Sequence, residues 1–107
     1  MKTKFEDLIE PVQKDIIKTC DFYNTDIHVL IANRNKRKRE FVFPRQVIFY
    51  TVRKKYENRV SQEKIGSIFD KDHATVNHSC KTISDLMTTN KYTRIEINQL
   101  MEIINNK

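Results

Sequence analysis

The sequence predicts an all-α domain of about six helices, on three observations. Its 107 residues include one Gly and two Pro, so the turn residues that β-hairpins require are nearly missing. Apolar residues recur at spacings of three and four along most of the chain, which lines one face of a helix. No segment calls for a strand. The length suits a single domain, residues 1–107, with one modest core.

Each element follows from its own pattern. Phe5, Leu8, Ile9, Val12, Ile16, Ile17 and Cys20 predict one amphipathic helix from Phe5 to about Asn24, with Pro11 either breaking or starting it. "TDIHVLIAN" offers an Asx or Thr cap and then a short apolar helix. His28 lies among aliphatics there and reads as a satisfied structural histidine. An exposed loop carrying "RNKRKR" comes next. In "FPRQVIFYTVRKKYENR", Pro44 suits a first helical position. Ile48, Phe49, Val52 and Tyr56 share one face of that helix, and Gln46 and Arg53 fall on the opposite flank. Ser61 caps a helix of about two turns with Ile65, Ile68 and Phe69 apolar. Asp72 caps the next, "HATVNHSCKTISDLM", where Val76, Cys80, Ile83 and Met87 form a narrow apolar stripe. "TRIEINQLMEIINN" closes the chain with Ile97, Leu100, Met101 and Ile104.

Composition excludes several functions. No apolar run approaches the ~20 residues of a membrane span, and Met1 to Asp7 is charged on both sides of Phe5, unlike a secretion signal. The expected location is cytoplasmic, with no membrane partner. Cys20 and Cys80 lie far apart and without a motif, which favours reduced thiols over a disulfide. His73 and His78 are five residues apart, about 140° around a helix, too far to share a metal. Cys80 lies on the core side, so no Cys/His nucleophile forms. The lone glycine, Gly66, sits inside a helix, so no phosphate-cradling loop exists and no nucleotide is expected. The chain is therefore expected to have no catalytic residues, no metal and no cofactor.

The net charge of +6 is concentrated. Arg34, Lys36, Arg37, Lys38 and Arg39 carry five of the positive charges, and without them about +1 would remain. Such a run cannot enter a core; it is either a solvated loop or a grip on phosphate, with guanidinium planes slim enough for a minor groove. The helix after Asp72 favours the second reading. With Val76 at the centre of its buried stripe, Ala74, His78 and Lys81 point outward, and Lys71, Thr75 and Thr82 flank that face. Two short helices joined by a tight turn, the second capped and small-sided in its first turn, meet the requirements of a helix-turn-helix. Small side chains let such a helix sink into a major groove, where its first turn meets base edges.

"FPRQ" at 43–46, "IGSIF" at 65–69 and "KDHATVNHSCKTI" at 71–83 resemble the C-terminal DNA-binding domain of the bacterial replication initiator DnaA. The resemblance covers roughly residues 12–104. It implies a helix-turn-helix related to that of the Trp repressor and double-stranded DNA as partner. It further implies that Lys71, Asp72, His73, Ala74 and Thr75 read bases, and that Arg45, Gln46, Arg53 and His78 grip phosphate, with Lys81 beside them on the outer face. The loop residues Arg34, Lys36, Arg37, Lys38 and Arg39 would take the minor-groove role, Arg37 or Arg39 foremost.

This chain departs from the family pattern in five ways, the first being a basic loop about two residues longer. Asp70 alone occupies a turn that usually holds two glycines. Ala74 replaces a threonine, Gln62 and Glu63 replace a Leu-Pro pair, and the ATPase domain of the initiator has no counterpart. The expectation is a free-standing module that regulates replication or transcription. The alternative is an adaptor that keeps the fold and docks on a replication protein through the helix at 5–20 or at 93–105.

Overall fold

The computed structural model describes residues 2–106, so Met1 and Lys107 of the expected domain lie outside the described residues. A 3-10 turn, Phe5–Asp7, leads into α1 (Glu10–Phe22), α2 (Ile27–Ala32), α3 (Arg39–Tyr56), α4 (Gln62–Ser67), α5 (His73–Thr89) and α6 (Lys91–Asn105). No strand occurs among the described residues.

Pro11 decides the N-terminus. The single helix expected from Phe5 divides, because Pro11 occupies the second helical position, where its missing N–H costs no bond. Phe5 and Leu8 still reach the core from the preceding turn. Val12, Ile16, Thr19 and Cys20 form the buried side of α1, while Ile17 is 45% exposed. The helix closes on Asn24 in the left-handed region (φ 56°). Thr25 N–H donates to Cys20 O (2.9 Å) and Asn24 N–H to Asp21 O (3.1 Å), the paired bonds that terminate helices on such a residue.

Asp26 caps α2, accepting from His28 N–H at 2.8 Å. His28 is exposed rather than enclosed as expected. Ile27 and Leu30 take the buried side of this short helix, and the histidine ring makes a T-shaped pair with Phe5, centroids 6.3 Å apart.

Pro44 does not begin α3, which starts five residues earlier and holds the proline inside it, buried. The Glu40 carbonyl thereby loses its usual N–H partner. Compensation comes from residues four apart: Phe43 and Val47 enter the core together, and the Arg39 guanidinium stacks 4.3 Å over the Phe43 ring. The basic loop is correspondingly shorter than expected, and Arg39 belongs to the helix.

Ser61 caps α4, accepting from Lys64 N–H (3.1 Å), and Asp72 caps α5, accepting from Thr75 N–H (2.9 Å). Asn90 ends α5 through its N–H to Leu86 O (2.8 Å) and caps α6 with its side chain (3.1 Å to Thr93 N).

The helices bury two apolar clusters that share α3 and α5. Ile48, Phe49, Val52 and Tyr56 of α3 join Val76 and Cys80 of α5, with α1, α2 and α4 closing that cluster. Phe43 and Val47 join Ile83, and α6 seals the second with Ile97, Leu100 and Ile104. Each such side chain contributes roughly 1.5–3 kcal/mol when fully buried. A polar tie pins α1, α3 and α6 together. Tyr56 Oη donates to the buried Asp15 carboxylate (2.5 Å), and Lys55 Nζ reaches both Asp15 Oδ2 (2.9 Å) and Ile104 O (3.1 Å). Partners of this kind are what make a buried carboxylate tolerable. Burial, then the bond to Asp15, pushes the Tyr56 hydroxyl pKa up. Burial likewise pushes the Cys20 thiol up to about 12 and raises that of Cys80; both cysteines are free and buried, which disfavours the thiolate form.

Candidate nucleic-acid interface

The outer side of α5 is open. Ala74, His78 and Lys81 are exposed, as the periodicity of the helix predicts, with Asp72, His73 and Asn77 beside them. Lys71 and Thr75 are half-buried at the edge of this face. Asp72 uses Oδ1 for the cap, and the Thr75 N–H bond holds its carboxyl below the usual range. Lys81 pairs with Asp85 one turn on, at 3.3 Å.

The turn before this helix is built on a left-handed residue. Asp70 has φ 57°; Lys71 N–H donates to Gly66 O (3.0 Å) and Asp70 N–H to Ser67 O (3.1 Å), closing α4 as Asn24 closes α1. The shortened turn therefore keeps a standard geometry with aspartate where glycine is cheapest. Gly66 sets the crossing of the two helices. A Cβ there would meet Lys71 O at 2.6 Å and Val76 Cγ2 at 2.8 Å, so only glycine lets α4 lie this close to α5.

The basic loop stands next to this turn. Arg34 Nε pairs with Asp70 Oδ2 at 2.5 Å, and its NH1 donates to Ile31 O at 3.0 Å, so this arginine is held at the loop's base. Lys36, Arg37 and Lys38 are exposed beyond it. Arg39 points elsewhere: stacked on Phe43, it lies in a shallow recess with Tyr23 and Glu96.

Arg45 is half-buried, donating from NH1 to Arg34 O (2.9 Å), while its Nε is buried with no partner; burial lowers its pKa. Gln46 is half-buried on the same helix. Arg53 NH1 donates to Asn77 Oδ1 (3.2 Å) across a cleft of about 360 Å³ between α3 and α5, which Lys54, Lys81 and Ser84 also line. Asn77 and Lys54 enter this region without having been marked by their own helices. Only the docking of α3 on α5 brings them together. Glu63, exposed in the first turn of α4, adds an acid to those already near this surface: Glu57 in the cleft, Asp70 in the turn, Asp72 at the cap and Asp85 paired with Lys81.

Among the described residues no group of three His, Cys, Asp or Glu side chains is placed to hold a metal, and no helix is long and apolar enough to cross a membrane.

A family profile described as the bacterial dnaA protein helix-turn-helix matches residues 13–83. The chain is similar to the chromosomal replication initiator protein DnaA of Flavobacterium psychrophilum, 40% identical over 89 residues that cover 82% of this chain and 17% of that protein. It is similar to the same protein of Bacteroides thetaiotaomicron (34% over 100 residues, 92% of this chain and 20% of the relative) and of Oenococcus oeni (39% over 95 residues, 87% and 20%). The chain thus spans about a fifth of the length of these relatives. No solved structure matches it.

Proposed function

The chain belongs to the bacterial DnaA helix-turn-helix family, and from that premise we propose that it binds double-stranded DNA sequence-specifically and regulates replication or transcription. One observation carries the reading: the outer side of the first turn of α5, where His73 and Ala74 are exposed, stands beside the basic loop, the two joined through Arg34 and Asp70.

In this mechanism α5 enters the major groove. Lys71, Asp72, His73, Ala74 and Thr75 face base edges. Asp72 keeps Oδ1 on its cap, leaving Oδ2 to accept from an amino donor such as cytosine N4. Arg45, Gln46, Arg53, His78 and Lys81 set the register on phosphates, which position without specifying. Lys36, Arg37 and Lys38 reach the adjacent minor groove, where cations are favoured by its negative potential. Arg34, held at the loop's base, supports them, and Arg39 adds charge from the first turn of α3. No catalytic, nucleotide-binding or cofactor role is proposed.

Selection from a random duplex library at moderate salt tests this directly. A defined site is expected, and with about six phosphate contacts at ~0.9 each, log affinity falls against log salt with a slope near −5. A slope near zero overturns the reading. Equal affinity for every duplex reduces it to a general grip on polyanions.

A protein-binding adaptor is the second reading, favoured by Tyr92, Ile95 and Ile103, which α6 leaves 81%, 44% and 46% exposed. Replacing Arg37 and Arg39 by Ala separates the two: an adaptor keeps its partner, whereas a DNA binder loses duplex affinity.

A further inference from the structure

Asp70 stands where three stretches of chain meet. Lys2 Nζ lies 2.9 Å from its Oδ1 and Arg34 Nε 2.5 Å from its Oδ2, so each carboxylate oxygen takes one cation. Three residues earlier, Ser67 Oγ accepts from Thr3 N–H at 2.8 Å, a second tie between the N-terminal segment and α4. Arg34 is fixed from its other side as well. Its NH1 donates to Ile31 O, and its carbonyl accepts from Arg45 NH1.

The residue at position 70 must satisfy two demands. Its backbone is left-handed (φ 57°), which glycine adopts at no cost and asparagine or aspartate tolerate. Its side chain must also reach Arg34, which glycine cannot do. Aspartate meets both. The two cations also hold its carboxyl below the usual range, Lys2 more strongly than Arg34.

Building on the DNA-binding reading above, we propose that Asp70 is a specificity-determining positioning residue. By holding Arg34 it fixes the basic loop relative to the first turn of α5. It thereby sets the separation along a duplex at which minor-groove and major-groove contacts form together. Two contacts joined rigidly reinforce each other only at the span their connection permits, whereas a flexible connection accepts a range of spans. A part-exposed ion pair adds little to folding stability. Its effect should accordingly appear mainly in spacing discrimination, with only a small change in melting temperature.

The test uses Asp70→Asn and Asp70→Gly, both of which suit the left-handed backbone. Affinities of the wild type and each variant are measured for the duplex recovered by selection, and for the same duplex with one base pair inserted between the part nearest the loop and the part nearest α5. The wild type should discriminate by roughly ten-fold or more, a mismatch-sized effect, and both variants by no more than about two-fold. Removing an acid close to phosphate raises affinity for both duplexes alike, so the ratio isolates positioning. Backbone relaxation of residues 35–37 in the unbound variants should show greater amplitude than in the wild type. Variants that keep the wild-type ratio overturn this inference alone. A wild type that binds no duplex overturns the DNA reading, and the inference falls with it.

Discussion

Gly66 and Val76 approach so closely that a Cβ on the glycine would stand 2.8 Å from the valine Cγ2. The same atom would stand 2.6 Å from the carbonyl oxygen of Lys71, which is backbone and can yield only if the turn between α4 and α5 shifts. Gly66→Ala, normally a helix-stabilising change, should here destabilise by about 1–3 kcal/mol, the range of overpacking. Urea denaturation reads this as a lower midpoint at unchanged slope. A midpoint at or above the wild type would show that the crossing of α4 and α5 is looser than described.

Asp72 both caps α5 and occupies the first position of its outer face. Asp72→Ser keeps a capping oxygen, and Asp72→Ala removes it. The alanine variant should lose about 1 kcal/mol of stability and the serine variant almost none. Both should lose discrimination between the selected duplex and a scrambled one by about 1–3 kcal/mol, the worth of one base contact. Serine at full discrimination would confine Asp72 to capping.

Arg37 is exposed in the loop. Arg37→Ala should leave the melting temperature unchanged while weakening duplex binding and flattening the salt slope by about 1. Arg39→Ala should also lower stability, because its guanidinium stacks on Phe43. Thermal melts beside salt titrations of both variants check the contrast, and identical behaviour of the two would contradict the different settings described.

The carboxyls of Asp70 and Asp72 are both held below their ordinary value of 3.8, the first by Lys2 and Arg34, the second by the Thr75 N–H. A group with a depressed folded-state pKa contributes stability above its unfolded value and loses it as pH falls through the folded one. Both carboxyls are solvent-exposed, so their contribution to melting temperature should be small, present from neutral pH down to about 4 and lost below. The Asp70→Asn, Asp72→Ser double variant should decline less over that acid range. Equal declines would remove these two residues from the acid response.

Tyr56 Oη donates to the buried Asp15 carboxylate. Tyr56→Phe keeps the ring in the core and leaves the carboxylate with Lys55, at a cost of about 1.5–3 kcal/mol for a bond to a charged group. Denaturation midpoints of the variant measure this, and a change below about 0.5 kcal/mol, the usual range of surface substitutions, would mean the tie is not needed.

Residue patterns within single helices were enough to give the number and order of the helices, the caps at Ser61 and Asp72, and the outward face of α5, but not where α1 and α3 begin or which of Thr25 and Asp26 caps α2. Those properties depend on residues three or four apart in one helix, where a 100° step places each side chain without reference to neighbours. The tertiary structure alone decided that Arg39 leaves the loop for Phe43, that His28 lies outside the core, that Asn77 meets Arg53, and that Asp70 joins Lys2 and Arg34. Each of these couples residues on separate elements or resets where an element begins. Local periodicity records how a helix divides its own faces, but the distance between a loop and a turn 36 residues further on is set only when both pack against a common core.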